Sequence, residues 1–217
     1  MPDFAAQRAN MVAAQLRTND VTDARLRAAM LTIARERFVP ERLAALAYRE
    51  GNLEIAAGRV LLDPRCFAKL VQLAQVRGED RVLDVGCASG YSTMVLSLLA
   101  KEVVGIEEDA ALANLAAKNL SAMGAHNAQI VQRRLAEGGR ERAPFAVIVL
   151  NGAVDGRPET LLTQLAEGGR LVCVVRNGAA GHAHLYVKSN GAIGERSAFD
   201  AQAPVLPGFE KRSGFVF

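Results

Sequence analysis

The sequence predicts an α/β protein built on a doubly wound, mostly parallel sheet that follows a helical N-terminal region. Three observations carry this expectation. From residue 81 onward, short β-rich runs alternate with helical patterns, as in consecutive βαβ units. One of those runs, FAVIVL (145–150), is apolar at every position, as suits a strand buried on both faces. The first 80 residues instead space their apolar positions as helices do, with a break in the middle.

Residues 4–17 place Phe4, Met11, Val12 and Leu16 at helical spacing. Asp23 is positioned to cap a second helix carrying Leu26, Met30 and Ile33, and Phe38-Val39-Pro40 ends it. Residues 41–63, with Gly51, Asn52 and Gly58, read as irregular. Pro64 suits the first position of a third helix, whose apolar face is Phe67, Leu70, Val71 and Leu73.

The strand candidates are RVLDVG (81–86), EVVGIE (102–107), AQIVQR (128–133), FAVIVL (145–150) and GRLVCVV (169–175). Helical patterns intervene at 91–100, about 109–123 and about 159–166. After 175 the alternation stops. HLYVKS (184–189) and GFEKRSGFVF (208–217) read as strands added antiparallel to the sheet edge. No linker divides the chain, so 1–217 is expected to be one domain: a helical region (1–80), a sheet core (81–175) and a C-terminal β region (176–217).

Composition agrees with this. Of 217 residues, 50% are hydrophobic and 23% charged, the balance of a soluble globular protein. A net charge of +3 is too weakly basic to argue for nucleic acid. No apolar run approaches the ~18 residues of a membrane span, and MPDFAAQRAN lacks a signal-peptide pattern. A cytoplasmic location is expected. Cys66, Cys87 and Cys173 are far apart and form no CxxC, so they read as buried thiols of a reducing compartment, not as a disulfide or zinc site. His126, His182 and His184 show no metal pattern; His182 and His184, two apart, read as surface residues near a turn.

The strongest local signal is VLDVGCASGY (82–91). A strand ends at Gly86, the chain turns through Cys87-Ala88-Ser89-Gly90, and a helix begins near Tyr91. Small residues there allow a ligand close to the backbone, and open α/β sheets bind ligands at such strand ends. The pattern is G-x-A-x-G, not the G-x-G-x-x-G of dinucleotide sites. Asp84 precedes the turn, and Glu107 ends the next strand 21 residues after Gly86, where an acid can accept from ribose hydroxyls. The combination suits a nucleoside without a pyrophosphate, S-adenosylmethionine foremost. The bland alternative is an ordinary tight turn with Glu107 a solvated strand end.

Several segments, in order, resemble the protein-L-isoaspartate O-methyltransferase family: MVAAQLRTNDVTDARLRAAMLTIARERFVPE (11–41), AYREGNLEI (47–55), VLDVGCASGYSTMVLSLLA (82–100), VVGIEEDAALANLAAKNL (103–120), APFAVIVL (143–150) and LLTQLAEGGRLV (161–172). The resemblance implies a Rossmann-like methyltransferase with a mostly parallel seven-stranded sheet and N-terminal helices. It implies S-adenosylmethionine as cofactor and, as partner, a protein or peptide with isoaspartyl residues whose carboxylate is methylated, with neither nucleic acid nor membrane involved. It places Asp84, Gly86, Cys87, Ala88, Ser89 and Gly90 along the cofactor and Glu107 on its ribose.

The departures from the family pattern are specific. Ala88 stands where the family has glycine, a change tolerated where φ is negative. Arg133-Arg134-Leu135 replaces Gly-Asp-Gly, putting Arg134 at the adenine-binding Asp; an arginine cannot accept the adenine amino hydrogen. Asn151-Gly152-Ala153 replaces Thr-Ala-Ala. In AAGRVLLDP (56–64), read as the loop facing the methyl acceptor, Gly58 and Pro64 match a Gly-Gln-Thr-Ile-Ser-Gln-Pro pattern. Val60 and Leu62 stand at the Thr and Ser, and Asp63 at the second Gln. Upstream, Glu54 and Ala56 replace a Pro and a Gly.

A carboxylate nucleophile, with pKa near ~4, is already ionised at neutral pH and needs no general base. No catalytic residue is therefore assigned. Losing one hydroxyl that orients the acceptor is worth on the order of 1.5–3 kcal/mol, roughly one to two powers of ten in rate. Asp63 would repel an anionic substrate if it faced the site. Three readings stay open: an active carboxyl methyltransferase, a non-catalytic cofactor- or partner-binding member, and a methyltransferase for another acceptor such as nucleic acid. Against the last, no Asn/Asp-Pro-Pro-aromatic segment follows strand four, and the arginines at 133, 134, 140 and 142 read as a solvated face.

Overall fold

The computed structural model describes residues 2–178 and 180–211. Helix α1 (Phe4–Asn10) starts at Asp3, whose carboxylate accepts from the Ala6 amide at 2.9 Å. It continues through a wider π turn (Met11–Leu16) and a 3-10 turn (Arg17–Asn19), so the predicted 4–17 helix changes pitch halfway. Asp23 caps α2 (Ala24–Thr32), accepting from the Arg25 and Leu26 amides at 2.8 and 3.1 Å. Helix α3 (Pro64–Ala74) has Pro in its first turn and Asp63 as its cap.

Between these helices the segment expected to be irregular contains a small hairpin, β1 (Leu53–Ala56) and β2 (Arg59–Leu61). Leu53 pairs with Leu61 and Glu54 with Val60, and the two strands form a sheet of their own. Leu53, Ile55 and Leu61 are buried. The alternation that sends these side chains inward makes residues 59–61, the middle of the predicted acceptor loop, a strand.

The main sheet has seven strands in the order β5-β4-β3-β6-β7-β8-β9. They are β3 (Arg81–Val85), β4 (Glu102–Glu107), β5 (Ala128–Gln132), β6 (Phe145–Val154), β7 (Leu165–Asn177), β8 (Ala180–Ser189) and β9 (Ala192–Asp200). The first five of that spatial order pair in parallel, and β8 and β9 are antiparallel additions. Helices α4 (Tyr91–Ser97), α5 (Ala110–Ala122) and the short α6 (Glu159–Leu162) lie in the crossovers. One sheet face packs with the N-terminal helices and α3 around Leu26, Met30, Phe67 and Leu70; the other packs Leu83, Phe145, Leu161 and Leu206.

The end of the chain differs from expectation. Among the described residues the last strand is Ala192–Asp200, and residues 208–211 of the strand expected at 208–217 are not part of one. Asn190 (φ 52) and Gly191 (φ 76) both take positive φ, as a two-residue hairpin turn demands, and so β9 folds directly back on β8. Residues 201–211 cross the carboxyl end of β6 instead. The Ala153 amide donates to Pro204 O (2.8 Å), the Leu206 amide to Ala153 O (2.9 Å) and the Asp155 amide to Phe209 O (2.9 Å). Residues 212–217 lie outside the described residues.

Candidate functional site

Strand order reverses between β3 and β6: β4 and β5 extend to one side, β6 and β7 to the other. The crevice at the carboxyl ends of these two strands is where a doubly wound sheet takes a ligand. The glycine turn lies there, and so does Gly152 of β6.

The turn is buried from Gly86 to Gly90. Gly86 has φ +76, a conformation natural to glycine. Ala88 has φ +50, so its methyl occupies the left-handed region and the negative φ expected for a tolerated alanine is not what the turn adopts. The Gly86 and Cys87 amides both donate to Ile106 O, at 2.9 and 3.1 Å. The Ser89 hydroxyl donates to Phe38 O at 2.5 Å, and Asn119 donates to Ser89 O at 2.9 Å.

Asp84 is fully buried and accepts from the Ser92 and Thr93 hydroxyls (2.7 and 2.6 Å) and the Asn151 amide (2.6 Å). Burial drives its pKa up to about 6 against these stabilising bonds. In this arrangement Asp84 ties the first turn of α4 to β6. Burial likewise raises the Cys87 thiol, and Cys66, Cys87 and Cys173 are all buried free thiols.

Every lone-pair direction of Glu107 is engaged. Oε1 accepts from the Glu108 and Asp109 amides at 3.0 and 3.2 Å. Oε2 accepts from the Ala88 amide at 2.8 Å and from Arg59 Nη2 at 2.5 Å. The Arg59 and Glu107 side chains are 6% and 0% exposed. Arg59 Nε is buried without a partner. Leu206, 1% exposed, lies beside them: a methyl placed on Gly86 would fall 3.0 Å from Leu206 Cδ2 and 3.1 Å from Arg59 Nη2, and one on Gly152 2.6 Å from Leu206 Cγ.

The hairpin faces the turn across a residual chamber of about 10 Å³ lined by Val60, Leu62, Phe67, Gly86, Cys87 and Tyr91. Its wall is held by Arg35, which is buried, donates to Ala47 O (2.8 Å) and Leu62 O (2.7 Å), and stacks 4.6 Å from the Tyr91 ring centre. Burial lowers the Arg35 pKa and raises that of Tyr91, whose hydroxyl is buried without a hydrogen bond.

Gly58 is exposed at the hairpin tip. Asp63 is spent on structure: it caps α3 through the Cys66 amide (2.9 Å) and accepts from the Gly51 amide (2.5 Å). It also borders an open cleft of about 430 Å³ with Arg65, Lys69 and Phe199. Arg134 is exposed, while Arg133 pairs with Glu141; Arg140 and Arg142 are also exposed. Among the described residues no His/Cys/Asp/Glu group could hold a metal, and no helix is long and apolar enough to cross a membrane.

Sequence reasoning missed Arg59 and Leu206. Arg59 had a signal, since it stands at the first Gln of the acceptor-segment pattern. Leu206 had none, because only the path of the tail brings it to Gly86.

A family model described as protein-L-isoaspartate(D-aspartate) O-methyltransferase matches residues 7–201. A protein-L-isoaspartate O-methyltransferase 1 of Rhodopseudomonas palustris (strain HaA2) is 42% identical over 172 residues, 79% of this chain and 70% of that one. A protein-L-isoaspartate O-methyltransferase of Koribacter versatilis (strain Ellin345) is 40% identical over 172 residues, 79% of this chain and 78% of that one. In fold, the chain is similar to a Plasmodium falciparum structure described as a protein-L-isoaspartate O-methyltransferase in complex with S-adenosyl-L-homocysteine, with TM-score 0.80, 22% identity, and coverage of 92% of this chain and 97% of that one.

Proposed function

Because the chain belongs to the protein-L-isoaspartate(D-aspartate) O-methyltransferase family, we propose that it methylates the carboxylate of isoaspartyl residues in damaged proteins or peptides. The observation that carries this reading is the extent of the family match. Residues 7–201 include the glycine turn, Glu107 and the hairpin together, so the match spans both the donor side and the acceptor side of this reading. S-adenosylmethionine is the methyl donor of this family, and bound it would supply an electrophilic methyl group.

The residue types at the crevice suit a nucleoside, but the crevice as folded does not admit one. Glu107 is saturated, Leu206 lies against Gly86 and Gly152, and the remaining chamber of about 10 Å³ holds about one water. Ligand pockets for small molecules run to ~300 Å³ and more.

What the chain's own residues contribute to the acceptor side is alignment and dryness. An isoaspartyl carboxylate arrives ionised, so no base is required. Half-buried Val60 with buried Leu61 and Leu62 forms an apolar wall that strips water from the nucleophile. Arg35 fixes that wall through Leu62 O. Asp63, tied to α3 and Gly51, sits at the hairpin's exit as a cap.

Incubation with methyl-labelled S-adenosylmethionine and an isoaspartyl peptide, beside its normal aspartyl twin, tests the reading. Base-labile methyl ester on the isoaspartyl peptide alone is expected. Label on neither peptide at micromolar enzyme and overnight incubation would overturn it.

A further inference from the structure

We infer that Arg59 and Leu206 occupy the nucleoside crevice of the resting chain, so that a nucleoside binds only after β2 and the C-terminal segment give way. This rests on the methyl-donor reading above and adds a control to it.

The position comes from topology. The two side chains converge over Gly86, at the reversal point between β3 and β6 where the fold has its ligand crevice. A methyl on Gly86 would lie 3.0 Å from one and 3.1 Å from the other, so both stand where a ligand would meet the glycine backbone.

Charge and hydrogen bonding point the same way. Glu107 Oε2 receives Arg59 Nη2 and the Ala88 amide, and Oε1 two further amides. A ribose diol approaching that carboxylate must displace the guanidinium. The donor nucleoside is itself a sulfonium, so Arg59 repels it as well as competing for its acid. Meanwhile Arg59 Nε has no partner, which leaves the guanidinium less than fully satisfied where it sits.

Both occupants are carried by elements outside the main sheet. Arg59 is on a hairpin whose strands pair only with each other. Leu206 is on a segment joined to β6 through an isolated bridge at Ala153–Val205 and its flanking amide bonds. Either can retreat while β3 and β6 stay paired.

The test uses S-adenosylhomocysteine as the probe on the full chain, by titration calorimetry and by hydrogen exchange. Full-length Arg59→Gln, Leu206→Ala and the double variant are compared with the unaltered protein. The double variant is expected to bind about 100-fold more tightly, the factor by which a 1% open population weakens apparent affinity. In the unaltered chain, saturating probe is expected to speed exchange at the Ala153 and Leu206 amides, a readout that needs no variant. Affinities equal within about threefold, with those amides as protected in the presence of probe as without it, would overturn the occlusion and leave the methyl-donor reading standing. Absence of binding to all four proteins at millimolar probe would overturn both.

Discussion

Arg59 of the β1–β2 hairpin and Glu107 at the end of β4 form an ion pair sealed from water, with side chains 6% and 0% exposed. Such a pair is costly to break on one side only, because the surviving charge stays buried. Glu107→Gln is expected to destabilise the fold by about 3–5 kcal/mol. Arg59→Met combined with Glu107→Gln should cost clearly less, since no charge is stranded. Urea unfolding of the two single variants and the double gives the comparison; a double variant as unstable as the sum of the singles would show the pair is not coupled.

The buried carboxylate of Asp84 predicts a pH dependence. Its pKa is raised from 3.8 to about 6, mainly by desolvation. Between those values the folded chain binds a proton that the unfolded chain releases, so this group's contribution is fully present below pH 3.8 and is lost as pH rises through about 6. The loss amounts to about 3 kcal/mol. Asp84→Asn keeps an acceptor for Ser92 or Thr93 and cannot ionise. Its stability relative to the unaltered chain should therefore improve from pH 4 to pH 7. A constant difference across that range, measured by denaturant unfolding, would refute the assignment.

Ala88 holds φ +50 inside the glycine turn. A side chain in the left-handed region is strained, while glycine there gives up more entropy on folding. Ala88→Gly is expected to gain about 0.5–1 kcal/mol net, seen as a higher unfolding midpoint with unchanged m-value.

From the sequence, Asp63 would repel an anionic substrate only if it faced the site; its carboxylate caps α3 and holds Gly51. Asp63→Ala should lose about 1–2 kcal/mol of stability. Methylation of an isoaspartyl peptide, assayed well below the unfolding temperature, should not rise. A gain in kcat/KM for acidic peptides would restore the repulsion idea.

The parallel core was legible because burial on both faces leaves an unbroken apolar signature, as FAVIVL does, and the helix starts because the Asp23 cap and the first-turn Pro64 are local chemistry. The β8–β9 turn was also written locally, in Asn190-Gly191, yet the expectation placed no strand directly after it. The β1–β2 hairpin was harder to see: its strands span only four and three residues, too short for a period-two pattern to stand out.

The sequence alone determined the fold class and the family, and it singled out the glycine turn and the acid at 107 as candidate site residues. These depend on residue type and spacing along one short stretch of chain. The tertiary structure decided what those residues touch. Arg59 reaches Glu107 from 48 residues away, and Leu206 reaches Gly86 from the far end of the described chain. Such contacts follow from how the hairpin and tail are laid over the sheet, a property of the packed whole that no local pattern encodes.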